Sequence, residues 1–154
     1  MTRAYGRAAR GERVNQSVPR NHGRGVTLIG SLGLRGLLAP LRMEGALDTV
    51  AFDSYVHQAL VSQLRPKDIV LLDNLPVHLS SRIEQEVAAV EAEVMWLPAY
   101  SPDFSPIEEC WSKVKTLVRG RAPRTPKELD AALGDALASV TFDDIEGWFG
   151  HCGY

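Results

Sequence analysis

Residues 97–118 read LPAYSPDFSPIEECWSKVKTLV. Prolines at 98, 102 and 106 keep the first third of this stretch out of regular structure, because each lacks a backbone N–H and fixes its own φ. Ser105-Pro106-Ile107-Glu108 then has the form of a capping box with proline at the first helical position. Behind it Ile107, Cys110, Trp111, Val114, Leu117 and Val118 recur on one stripe, so a helix is expected from Pro106 to Val118, stopped by Gly120. Glu108 lies off that stripe. On spacing alone it either ties back to the N-cap backbone or faces outward into a cleft.

A second acid lies upstream, separated from Glu108 by 34 residues. In DIVLLDNLPVH (68–78) four consecutive apolar residues, two of them β-branched, end on Asp73. A short run that is apolar on both faces suits a strand buried in a sheet covered by helices. EVMWLP (93–98) is a similar short strand, and SSRIEQEVAAVEA (80–92) between them reads as a helix capped by Ser80 or Ser81. A right-handed crossover then sets the two strands parallel. Asp73 falls at a strand's carboxyl end, where open α/β sheets bind ligands.

Further upstream, GVTLIGSLGL (25–34) and LLAPLRMEG (37–45) flank Arg35-Gly36 and form a hairpin signal, with Pro40 pushing the second run to an edge. Asp48-Thr49 caps a helix expected over 49–65 and ended by Pro66. After residue 120, TPKELDAALGDALASV (125–140) opens on a Thr125–Glu128 capping box, and the tail has room for a last short helix. Residues 1–24 show no apolar period and read as an irregular arm, leaving 25–154 as one α/β domain.

With 154 residues, 45% apolar and 23% charged, the chain has the composition of one globular domain. No apolar run reaches 18 residues, so no membrane span is expected, and the basic start has no apolar segment behind it to make a secretory signal. Two cysteines give no disulfide framework and fit a reducing cytoplasm. The net charge of −2 conceals a division. Residues 1–42 carry eight arginines (Arg3, Arg7, Arg10 and Arg13 among them) against one acid, while the remainder carries nine basic and 18 acidic residues. A basic arm beside an acidic body suits a protein that handles a polyanion, and equally a solvated chain start.

Two carboxylates from a strand end and a neighbouring helix start suit magnesium, which takes one or two acids plus waters and phosphate oxygens. Paired metals of this kind support phosphodiester cleavage. Physics permits the site without demanding it. The motifs go further: DNLPVH (73–78) resembles the Asp-Asn-x-x-x-His motif of DDE-type transposases, and residues 97–115 resemble their Leu-Pro-x-Tyr-Ser-Pro…Pro-Ile-Glu-x-x-Trp-Ser-x-x-Lys signature. The 34-residue spacing is similar to that of the insertion-sequence branch of the mariner superfamily, and RAYGRAARGERV (3–14) and the hairpin resemble it too.

That resemblance implies a ribonuclease-H-like fold and DNA cleavage and strand transfer dependent on Mg2+ or Mn2+. Asp73 and Glu108 would be the second and third acids of a triad and the metal ligands, with Asn74 and His78 beside the site. DNA at transposon ends and target is the implied partner, and a homodimer the implied assembly. Lys113, Lys115 and Arg119 would join Arg3, Arg7, Arg10 and Arg13 on phosphates, although solvated helix faces are commoner. Trp111, on the apolar stripe, is expected in the core. Tyr100, Ser101, Pro102 and Pro106 would shape the loop that delivers Glu108.

The family's first aspartate, borne on the first strand, has no counterpart here, since no aspartate precedes Asp48. Nor is there an end-recognising helix-turn-helix module. The expectation is an amino-terminally truncated fold with a gap in its sheet, inactive by itself. The alternative is a non-catalytic remnant that binds DNA or a transposase partner. A zinc site from His78, Cys110, His151 and Cys152 has the spacing of no common zinc motif.

Overall fold

The structure is a computed structural model and describes residues 6–14, 25–76, 81–98 and 101–154, apart from the Pro102 side chain. The expected Ser80 cap, His78 and Tyr100, together with Arg3, lie outside the described residues. The hairpin forms as β1 (Val26–Gly33) and β2 (Gly36–Glu44), antiparallel around a turn in which Gly36 takes a φ of 127°. That φ lies in a region glycine enters without steric penalty. Register shifts between Ile29 and Ser31, so Ala39 and Pro40 of β2 together face Gly30. The bulge accommodates a proline that cannot donate to the ladder.

The expected helix over 49–65 splits into three windings. An α-helix, α1 (Thr49–Tyr55), passes into a π turn (Val56–Leu60) and a 3-10 turn (Val61–Gln63). Asp48 caps it as expected, its carboxylate accepting from the Ala51 N–H at 2.8 Å. The helix ends at Leu64, extended at ψ 151°, two residues before Pro66. β3 (Ile69–Leu72) then pairs in parallel with β4 (Glu93–Trp96), from Ile69↔Glu93 to Leu72↔Trp96, as the crossover reading required. Between them α2 (Ser81–Ala88) is shorter than expected, and the chain turns where Glu91 adopts a left-handed φ of 58°.

α3 runs from Pro106 to Arg121, beyond the expected stop at Gly120. Glycine weakens a helix without ending it. Here the last turn is held by the ion pair Arg121–Asp135 to the next helix, and the left-handed residue that ends α3 is Ala122. α4 (Pro126–Ala138) carries the expected Thr125–Glu128 capping box, and α5 (Phe142–His151) carries a second one, Thr141–Asp144.

Two cores result. One gathers Ile29, Phe52, Val56, Leu60, Val70, Ile83 and Val87 between the strands and the α1–α2 layer. The other gathers Cys110, Val114 and Val118 of α3 with Ala132, Leu133 and Ala136 of α4, and the hairpin lays Leu28, Leu32 and Leu37 on it. Strand side chains alternate faces, so Leu28 and Ile29 serve opposite layers, and the architecture is α/β/α. Gly30 completes the fit: a Cβ there would sit 3.2 Å from the Trp111 ring, which is the core residue its stripe position implied.

The four described strands stand as two separate two-stranded sheets, β1–β2 and β3–β4. One expectation fails at this level: the parallel pair is not buried on both faces, for Ile69 is 55% and Met95 52% exposed. Helices cover one side, and an open groove lies beside β3.

Candidate active site

Asp73 directly follows the last residue of β3 and is half-buried; its carboxylate accepts a long bond, 3.4 Å, from the Leu75 N–H, which fixes a turn at the strand's end. Asn74 donates from its side-chain amide to the Leu97 carbonyl at 2.7 Å. That bond holds the carboxyl ends of β3 and β4 side by side. Asn74 therefore positions the chain on both sides of the site, the loop to α3 leaving directly after Leu97.

The loop ends in a 3-10 turn, Pro102–Phe104, before Ser105 caps α3. The capping box expected here is absent. Pro106 occupies the first helical position, the Ser105 side chain makes no cap hydrogen bond, and the Glu108 N–H donates instead to the Ser105 carbonyl at 3.0 Å. The Glu108 carboxylate is exposed, and no hydrogen bond or ion pair engages it among the described residues. The reading in which Glu108 merely ties back to the helix start is thus removed. From the far end of the chain, the Tyr154 hydroxyl donates to the Phe104 carbonyl at 2.9 Å and pins this loop to the end of α5. The sequence held no sign of that bond.

Asp73 and Glu108 open onto the same groove, about 600 Å³ in volume, between β1 and β3. Folding has brought two acids 34 residues apart in sequence onto one cleft. Two hard oxygen donors fit a divalent cation that completes its shell with waters and phosphate oxygens. Among the described residues no group of three His, Cys, Asp or Glu side chains forms an all-protein cage.

The basic residues sort by helix face. Lys115 and Arg119 lie seven and eleven positions after Glu108, hence on its face, about 10 and 16 Å along α3. Both are exposed and without an ion pair among the described residues. Lys113 points elsewhere: its ammonium binds Asp144 and donates to the Ser139 carbonyl at 3.1 Å, tying α3 to α5. The same contact holds the Asp144 carboxyl down at about 2, through the Lys113 hydrogen bond first and those from Thr141 next. Arg7, Arg10 and Arg13 are exposed. Arg35 and Arg42, counted with the basic arm, are in fact bound, Arg35 to Asp68 at 2.6 Å and Arg42 to Asp130 at 3.0 Å. Cys110 is fully buried and burial pushes its thiol up to about 11, far from a thiolate ligand.

A family described as DDE superfamily endonuclease matches residues 1–130. Among solved structures the chain is similar to the Mos1 strand transfer complex (17% identity, TM-score 0.72). It is also similar to the Mos1 transposase paired-end complex with left transposon end (15%, 0.76) and the Mos1 mariner paired end complex with Mn (16%, 0.68). These matches cover 96–98% of this chain but 46–47% of those chains, so it spans about half their length. At such identities the likeness establishes the fold, a ribonuclease-H-like α/β architecture. No curated protein matches the chain.

Proposed function

This chain belongs to the DDE superfamily endonuclease family, and from that premise we propose that it is a transposase catalytic domain acting on DNA phosphodiesters with divalent metal, Mg2+ or Mn2+. The observation that carries the reading is the meeting of Asp73 and Glu108 on one groove, with Glu108 released from any capping role. The 34-residue spacing supports a reading within the insertion-sequence branch of the mariner superfamily. Residues 25–154 make the catalytic domain and residues 1–24 a basic arm. Two free cysteines suit work in a reducing cytoplasm, and no helix among the described residues is long and apolar enough to cross a membrane.

The division of labour follows from position. Asp73, fixed at a strand end by its own turn, is the rigid ligand. Glu108, on the first turn of a sixteen-residue helix, is the ligand whose place is set by how that helix packs. Asp73 and Glu108 would hold a divalent cation, which would supply positive charge to neutralise phosphate oxygens and acidify a water. Asn74 holds the frame, and His78 adjoins it in sequence. Lys115 and Arg119, with Arg7, Arg10, Arg13 and Arg3, bind the DNA backbone at transposon ends and target; Lys113 is left to its structural contact. A homodimer fits the need to process two ends together.

A second reading, a non-catalytic chain that binds DNA or a transposase partner, is favoured by the exposed Lys115–Arg119 track, which needs no acid to work. Calorimetric titration of Mn2+ in the presence of duplex DNA separates the two. The catalytic reading expects binding that weakens at least tenfold in both Asp73→Asn and Glu108→Gln, with nicking of supercoiled plasmid following the same order. Mn2+ binding identical in wild type and both variants leaves only the second reading.

A further inference from the structure

Glu108 stands on the first turn of a helix that lacks a lock of its own. Ser105 contributes no side-chain bond to the cap, and Pro106 removes one donor from the first turn. The 3-10 turn just before it is closed by a long backbone bond, from the Phe104 N–H to the Ser101 carbonyl at 3.2 Å. Helix ends fray where their backbone groups are left to water, so a start of this kind keeps its place only if something outside the helix holds it.

That hold comes from α5. The helix closes with a glycine cap that makes both of its backbone bonds. Gly153 takes a φ of 88°, its N–H donates to the Gly150 carbonyl at 3.2 Å, and the Tyr154 N–H donates to the Phe149 carbonyl at 3.0 Å. Glycine enters that conformation without steric penalty, and it turns Tyr154 back onto the helix. The Tyr154 ring then meets the Phe149 ring edge-on, with centroids 6.0 Å apart, the apolar contact that accompanies such caps. Backbone and ring together aim the hydroxyl that donates to the Phe104 carbonyl at 2.9 Å.

Two further observations put the end of α5 beside the start of α3. Asp144, near the beginning of α5, pairs with Lys113, so α5 runs antiparallel to α3. Burial first, then the charges of Glu109 and Asp103, push the Cys152 thiol up, so both acids lie close to the end of α5. Phe149 itself lines the same groove as Ser105, Pro106, Ile107 and Glu108.

We infer that Tyr154 is a positioning residue for the candidate metal site: its hydroxyl, acting through the Phe104 carbonyl, sets where the first turn of α3 holds the Glu108 carboxylate. The inference rests on the catalytic reading for its metal and on α5 for its tether. Asp73 is fixed by a turn of its own at the strand end, whereas Glu108 depends on this bond from a different helix. Magnesium tolerates little departure from oxygen distances of about 2.0–2.1 Å, so a drift of ~1 Å at the start of α3 would weaken a site shared with Asp73.

The experiment compares the full chain with Tyr154→Phe, which removes the hydroxyl and keeps the ring contact. Mn2+ is titrated calorimetrically in the presence of duplex DNA, and amide exchange is followed residue by residue. Expected is Mn2+ binding weakened about three- to tenfold, the usual effect of one hydrogen bond. Without metal, exchange at positions 104 and 108 should quicken by about the same factor, with α2 and α4 unchanged and Tm within about 4 °C of wild type. Because binding and positioning are linked, saturating Mn2+ should restore slow exchange at position 108 in Tyr154→Phe but not when Glu108→Gln is added. Unchanged Mn2+ affinity, faster exchange spread over both cores, or restoration that is absent or indifferent to Glu108→Gln overturns the inference and leaves the catalytic reading standing. Wild-type Mn2+ binding that is absent or indifferent to Asp73→Asn and Glu108→Gln overturns the catalytic reading, and the positioning role with it.

Discussion

Glu108 shows how one side chain's role turns on whether its carboxylate is occupied. In a capping box it would bond the N-cap backbone; here the Ser105 carbonyl takes the Glu108 N–H, and the carboxylate is exposed at the groove. Glu108→Gln should therefore leave stability within about 0.5 kcal/mol of wild type, as surface changes do, while abolishing Mn2+-dependent function. Denaturant unfolding beside the metal titration checks both halves. Asp144 is the contrasting acid. Its folded pKa is held near 2 against an ordinary 3.8, chiefly by Lys113. A depressed carboxylate stabilises the fold above its ordinary value, and that contribution disappears as pH falls from about 4 through about 2. Lys113→Ala should shift acid unfolding to higher pH and leave DNA affinity unchanged, measurable by fluorescence against pH and by titration with duplex DNA.

Among the elements, the helices obey local rules most faithfully. Thr125 and Glu128 form their box reciprocally, the Glu128 N–H donating to the threonine hydroxyl at 3.2 Å. Thr125→Ala should cost about 0.5–2 kcal/mol, read as a lower denaturation midpoint at unchanged m value. α3 does two jobs on different faces. Cys110, Val114 and Val118 are buried against α4, while Glu108, Lys115 and Arg119 share the outward face. If that face follows DNA, neutralising Lys115 or Arg119 should each lower the slope of log affinity against log salt by about 0.9, seen in binding isotherms at several salt concentrations. In the first core, Ile83 is 1% exposed. Ile83→Ala should cost about 2–5 kcal/mol, again by denaturation.

For the whole molecule the informative feature is a division. Two cores lie on opposite sides of the strands, and the strands themselves form two pairs separated by a groove. The Arg35–Asp68 pair links the hairpin turn to the start of β3 at one end of that groove, and Asp73 and Glu108 lie at the other. An exposed ion pair is worth roughly 0–1 kcal/mol, so Arg35→Ala should change global stability little. Its effect should be local, as faster amide exchange along residues 28–34 than along β2.

Much of this arrangement was legible from residue order. Hydrophobic period, proline and glycine positions and capping pairs located the four described strands and marked where each α-helix begins, because those signals act within a few residues of chain. Asp73 and Glu108 were singled out by the resemblance of the DNLPVH and SPIEE motifs to those of DDE-type transposases. What residue order left undetermined depends on distant partners. Arg121–Asp135 carried α3 past Gly120, Asp144 paired with Lys113, and Tyr154 pinned the loop before Glu108. Pairing of strands is settled by backbone groups that every residue shares, so local pattern could name four strands yet not say that they would stand as two pairs around an open groove.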